Sequence, residues 1–208
     1  MKNETKNVQN LPKELIFELI RFIPFNLKWD NTLISKFFNF LIIKFQRKWR
    51  IYINKLRASI AQEFNGMIVN LKAIDKPGDH VNVNGVVCLN TRLDSFFPQL
   101  TGIVKYMPSH GDAINKKISD LGTWPAGVKH EDWVDKGIDF DEWVEEVKDN
   151  FDTKQKIAVK VLEFIKDHVV GNLSREELSG PLSGFLDSLV ICVSGINGYY
   201  TQNYEQGM

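Results

Sequence analysis

Two cysteines in 208 residues, Cys88 and Cys192, exclude a disulfide-stapled scaffold. They lie far apart, each in an apolar neighbourhood, so buried free thiols in a reducing compartment are expected rather than a disulfide or a metal pair. Long apolar runs are also absent. Phe37–Phe45 is interrupted by Asn39 and Lys44, while Leu182–Ile196 contains Asp187 and falls short of the roughly 20 residues that cross a bilayer as a helix. The opening MKNETKNVQN has no apolar core of the kind a signal peptide needs. The expectation is a soluble intracellular protein, cytoplasmic or nuclear.

Catalytic and ligand-binding constellations are equally scarce. His80, His110, His130 and His168 are widely separated, with neither His-Glu-x-x-His nor Cys-x-x-Cys to make zinc ligands of them. Ser183, in Gly180-Pro181-Leu182-Ser183-Gly184, lacks the glycine two residues ahead that a nucleophile elbow requires. No glycine-rich loop leads into Lys-Ser or Lys-Thr, and no repeat of 20 to 50 residues marks a solenoid or propeller. The chain is therefore read as a non-enzyme with no catalytic residues, no metal ligands and no cofactor.

What is present is ample core material, 43% hydrophobic and 12% aromatic, in a length suited to one or two domains. The formal charge of zero conceals an asymmetry. Residues 1–60 hold 12 Lys and Arg against 4 acids, and the remainder 14 against 22. Such a split marks two regions with separate partners, or two halves that attract one another.

The basic region carries the most structured pattern. Pro12 stands just inside a helix start at Asn10 or Leu11, where its missing N–H costs nothing, and Glu14 places a carboxylate in the positive first turn. Leu15, Ile16, Leu19, Ile20 and Ile23 form one broad apolar face, and Pro24 ends the helix at Ile23. A connector with Leu27 and Trp29 leads to Thr32, a cap for a second run holding Leu33, Ile34, Phe37, Phe38, Phe40, Leu41 and Ile42, with Trp49 beyond it. The order Leu11-Pro12-Lys13-Glu14-Leu15, Ile23-Pro24, Leu27, Leu33-Ile34-Ser35-Lys36 and Trp49-Arg50 resembles the F-box. It departs from that pattern at Phe25-Asn26-Leu27, where an Asp-Leu pair is usual, and at Phe37-Phe38, in place of a basic-aromatic pair. The resemblance implies docking onto a Skp-type adaptor of a cullin-RING ubiquitin ligase. Leu11, Pro12, Leu15, Ile23, Pro24, Leu27, Leu33 and Ile34 would make the apolar contact, some of them also holding the motif's own small core.

Residues 1–9 lack any apolar period and read as a polar tail. Beyond the F-box-like stretch, Trp49, Ile53, Leu56, Ile60, Phe64, Met67 or Ile68, and Leu71 recur at helical steps, with Arg47, Lys48, Arg50, Lys55 and Arg57 on the opposite face. Asp75-Lys76-Pro77-Gly78-Asp79 ends that helix. The alternation of Val81, Val83 and Val86 favours an irregular loop over a strand pair, because no strand partners are visible. Thr91-Arg92-Leu93-Asp94 reads as a capping box opening a helix, in which Pro98 requires a late start or a bend. A shorter helix is expected over 113–121, then a breaker segment at 122–127.

Residues 131–152 hold ten acids, with Phe140, Trp143, Val144, Val147 and Phe151 as an apolar stripe and Glu142, Glu145, Glu146 and Asp149 facing outward. Asp135–Trp143 is similar to the second half of an EF-hand loop, but Trp133 occupies a ligand position and Lys136 the turn glycine's place, so an acidic helix start is the expectation. A separate helix is expected after Asp152, ending at Gly171. Ser174-Arg175-Glu176-Glu177 forms a second capping box, and Leu182–Ile196 reads as the central helix of the C-terminal domain, with a fraying tail from Asn197.

These features predict an all-α protein: a tail (1–9), a short F-box-like helical unit (10–53) and, joined to it by a long helix, a C-terminal helical domain (54–208) available to a protein target. No membrane or nucleic acid enters that reading. A different class remains open, a non-enzymatic helical interaction protein whose basic N-terminal arm lies on membrane or nucleic acid.

Overall fold

The computed structural model describes residues 31–74, 83–127 and 139–204, with Glu131, Val134 and Gly137 as isolated positions. Among these residues the protein is all-α, with no strand. Six α-helices follow in order: α1 (Asn31–Lys72), α2 (Val83–Thr101), α3 (Gly111–Asp120), α4 (Phe140–Phe164), α5 (Arg175–Ser179) and α6 (Leu182–Tyr204). The chain divides between Asn54 and Lys55 into two compact units, with α1 running through the division.

In the second unit, α1 buries Ile60, Phe64, Met67, Ile68 and Leu71 at the expected helical spacing. Its end is held by Gln155 of α4, whose amide donates to the carbonyls of Leu71 and Ile74 and so serves acceptors that a helix terminus leaves open.

Helix α2 starts earlier than the sequence suggests. Val86, Leu89, Leu93, Phe96 and Leu100 are all essentially inaccessible to solvent, so the helical stripe continues back through the segment whose valines alternate. The expected loop is helix from Val83 onward, and Thr91-Arg92-Leu93-Asp94 lies within it rather than opening it. Thr91 accordingly directs its hydroxyl to the Val87 carbonyl, one turn back, as a mid-helix threonine does. Pro98 sits in the final turn, where the helix is about to end in any case. Buried Asn90 fits the core because its amide donates to the carbonyls of Val86 and of Val147 in α4.

Helix α4 is continuous where a break at Asp152 was expected. No glycine or proline interrupts it, and Asp152 pairs with Lys156 one turn on, a geometry that supports helix. Trp143, Val147, Phe151, Ala158, Val161 and Leu162 are buried along it, whereas Phe140 remains exposed. A π-turn at Ile165–Val169 and a 3₁₀ turn at Val170–Asn172 extend it to the expected end, with His168 exposed there. Helices α4 and α6 both pack on α2, and α3 packs on α4. The capping box at Ser174–Glu177 is present as read.

The helix on which the others pack is α2 rather than α6. Only one face of α6 is buried, through Leu182, Leu186, Leu189, Val193 and Ile196, while Ile191 is 72% exposed. Its residues from Asn197 to Tyr204 remain helical instead of fraying. The added length makes Leu182–Gln202, which the sequence suggested was too short, long and apolar enough to cross a membrane by length and composition, with 28% of it buried.

Candidate partner-binding surface

The partner-binding residues inferred from the F-box resemblance fall at the start of the chain. Leu11, Pro12, Leu15, Ile23, Pro24 and Leu27 lie outside the described residues; Leu33 and Ile34 belong to the first turn of α1, with side chains outside the description.

The described part of the first unit is α1 up to Asn54. Along it Leu41, Ile42, Phe45, Trp49 and Ile53 are half-buried, forming the inner face. The outer face is unlike an ordinary solvated one. Phe40 is 59%, Ile43 64% and Ile51 50% exposed, and around them stand the exposed cations Lys36, Lys44, Arg47, Lys48 and Arg50. At about 100° per residue all eight side chains fall within an arc of about 160°. Lys44 lies over the Phe40 ring at 5.9 Å, one turn along the same face. Between Asp30 and Glu63 the chain carries seven Lys and Arg and no acid. The apolar members of this outer face escaped the sequence reading, which separated a basic face from an apolar one; the acid-free interval was the available signal. Arg57 belongs elsewhere, donating to the Leu173 carbonyl at 2.7 Å.

In the second unit, polar side chains concentrate at Asp94. The ammonium of Lys154, completely buried, lies 2.8 and 2.9 Å from its two carboxylate oxygens, and the Trp124 indole N–H donates to it at 2.8 Å. Trp124 stacks on Phe97 at 3.9 Å, and Asn150 holds the Ala126 carbonyl at 3.0 Å. The breaker segment 122–127 is thereby fastened to α2 and α4. This arrangement satisfies a buried charge and positions a loop, although the buried Asn150 Oδ1 meets no hydrogen-bond donor among the described residues.

A shallow groove of about 350 Å³ separates α2 from α6, lined by Thr91, Arg92, Ser95, Ile191, Cys192, Gly195 and Ile196. Arg92 lies 4.6 Å over the Tyr199 ring. A hydrogen bond with Cys88, then burial, raises the Tyr199 hydroxyl above its ordinary value, with Arg92 opposing. Burial likewise raises the Cys192 thiol, again with Arg92 opposing. Both cysteines are free, but Cys88 is exposed and Cys192 partly so, contrary to the buried thiols expected from their apolar neighbours. Helical position explains this, since α2 and α6 each bury a different stripe from the one their cysteine occupies.

Two carboxylates depart from ordinary behaviour. Burial, then the nearby Asp187 charge, raises Glu63, whose buried Oε2 meets no hydrogen-bond donor among the described residues. Burial also pushes Glu177 upward, but the backbone N–H groups of Ser174 and Ser109, at 2.7 and 3.0 Å, outweigh it and hold the carboxyl below the usual range.

In the EF-hand-like stretch, Asp139 uses its side chain to cap α4, accepting from the Asp141 N–H at 3.0 Å, and Glu142 is exposed in the first turn. Asp135, Lys136 and Ile138 lie outside the described residues. Among those described, no group of three or more His, Cys, Asp or Glu is placed to hold a metal ion. Comparison with protein-family models, curated proteins and solved structures yields no match to the chain.

Proposed function

We propose that this protein is a substrate-recruiting adaptor of F-box type, linking a Skp-type protein of a cullin-RING ubiquitin ligase to a protein target. The observation that carries the reading is the ordered series Leu11-Pro12-Lys13-Glu14-Leu15, Ile23-Pro24, Leu27, Leu33-Ile34-Ser35-Lys36 and Trp49-Arg50. It lies wholly within the first compact unit, ahead of a separate helical unit available to a target. Each residue pair alone is common; their order is what counts. The mechanism is proximity. An adaptor that holds ligase and target together raises their effective concentration and performs no transfer itself. Such a role places the protein in the cytoplasm or nucleus, where ubiquitin ligases of this kind work on folded targets.

Leu11, Pro12, Leu15, Ile23, Pro24, Leu27, Leu33 and Ile34 are assigned to the Skp contact. Leu11→Ala combined with Pro12→Ala is expected to abolish co-purification with the Skp-type adaptor while the second unit retains its helical signal and its cooperative melt. Undiminished co-purification of the double variant would reject the assignment.

A further inference from the structure

The outer face of α1 in the first unit presents a combination that neither a solvated helix nor the Skp contact requires. Phe40, Ile43 and Ile51 are each at least half exposed, interspersed in the arc that also carries Lys36, Lys44, Arg47, Lys48 and Arg50. A helix facing only water gains nothing from three large apolar side chains there, and exposed apolar groups gathered on one face mark an interaction surface. We propose that this face docks α1 parallel to an anionic phospholipid surface, with Phe40, Ile43 and Ile51 entering the acyl boundary and the five cations engaging lipid phosphates and carboxylates.

Charge and geometry select this occupant. The face is cationic throughout, and the nearest acids in sequence are Asp30 and Glu63, so an anionic surface meets no opposing charge along it. From Phe40 to Ile51 the chain is continuous helix, which gives a straight contact line about 16 Å long that matches a planar surface. Long lysine and arginine stems extend to headgroups while the neighbouring apolar side chains sink deeper, the division of labour in an interfacial helix. A phosphate backbone would reward the same cations, but offers nothing for Ile43 and Ile51. The residues from Lys36 to Ile51 that carry the docking are different ones from Leu11, Pro12, Leu15, Ile23, Pro24, Leu27, Leu33 and Ile34, so substitutions can test the two roles one at a time.

The test is co-sedimentation of the full chain with vesicles of phosphatidylcholine alone, and of phosphatidylcholine with phosphatidylserine at about seven to three. Binding is expected to the anionic vesicles and to weaken as salt rises. Lys44→Glu, Arg47→Glu, Lys48→Glu and Arg50→Glu together should lower the partition coefficient by at least about a hundred-fold. Phe40→Ser, Ile43→Ser and Ile51→Ser together leave the charge intact and should lower it by about ten-fold or more. All seven side chains are exposed, so each variant is expected to keep its helix, which circular dichroism checks. The proposal is overturned if the anionic vesicles do not bind, if they bind no better than phosphatidylcholine alone, or if the triple serine variant binds as well as the parent. In the same assay, a DNA duplex that binds parent and triple serine variant equally, and displaces the vesicles, identifies a nucleic-acid arm and likewise overturns it.

Discussion

Glu177 joins two segments through a single carboxylate: one oxygen accepts from the Ser174 N–H that precedes α5, the other from the Ser109 N–H between α2 and α3. Because its folded carboxyl is depressed, its contribution is fully present above the unfolded value and is lost as pH falls through the folded one. Glu177→Gln should therefore cost about 1 kcal/mol near neutral pH, a gap that closes in acid, as measured by urea unfolding across pH. Glu63 has the opposite sign. Its raised carboxyl makes the charged form unfavourable in the fold, so Glu63→Gln should increase the melting temperature at neutral pH. That gain should shrink as pH falls through the raised folded value, and vanish near the ordinary carboxylate range. The Ser174–Glu177 box was readable from four consecutive residues, since a cap is local chemistry. The Glu63–Asp187 proximity was not, because it joins α1 to α6 across more than half of the chain.

At the scale of elements, the Lys154–Asp94 pair joins α4 to α2 where Trp124 of the segment 122–127 also meets Asp94. Its two ends differ: Lys154 is fully buried, while the Asp94 side chain is 31% exposed. Asp94→Asn strands a buried ammonium and should cost about 3 kcal/mol, more than Lys154→Met, which leaves a carboxylate that water can reach. Equal losses in denaturant unfolding would contradict this account. Helices themselves were largely legible. The stripe from Phe64 to Leu71, the helix near 113–121 and the outward Glu142, Glu145, Glu146 and Asp149 follow from a 3.6-residue period. Boundaries were less so. Valines two residues apart imitate a strand over the first turn of α2, and Thr91–Asp94 satisfies the letter of a capping box in the middle of a helix. What decides both is packing against α4, where Asn90 meets the Val147 carbonyl, a contact that no local window contains.

The molecule as a whole pairs a basic, partly apolar helical surface in its first unit with a helical second unit whose α4 displays Glu142, Glu145, Glu146 and Asp149. The charge division was visible in a count of residues. The position of Phe40, Ile43 and Ile51 on the outer face was not, because an apolar residue on a helix gives no sign of whether anything covers it. The adaptor reading and the lipid-docking face make separable demands on the first unit, one on apolar residues from Leu11 to Ile34 and one on the cations and apolar groups from Lys36 to Ile51. Salt separates them: an apolar protein interface is nearly indifferent to ionic strength, whereas attraction of Lys and Arg to an anionic surface is screened. The most direct test of the adaptor is therefore binding of the full chain to a purified Skp-type adaptor at low and at high salt, beside the Leu11→Ala, Pro12→Ala variant. The account predicts parent binding that persists at high salt and is lost in the variant; no binding, or binding that high salt abolishes and the variant retains, would contradict it.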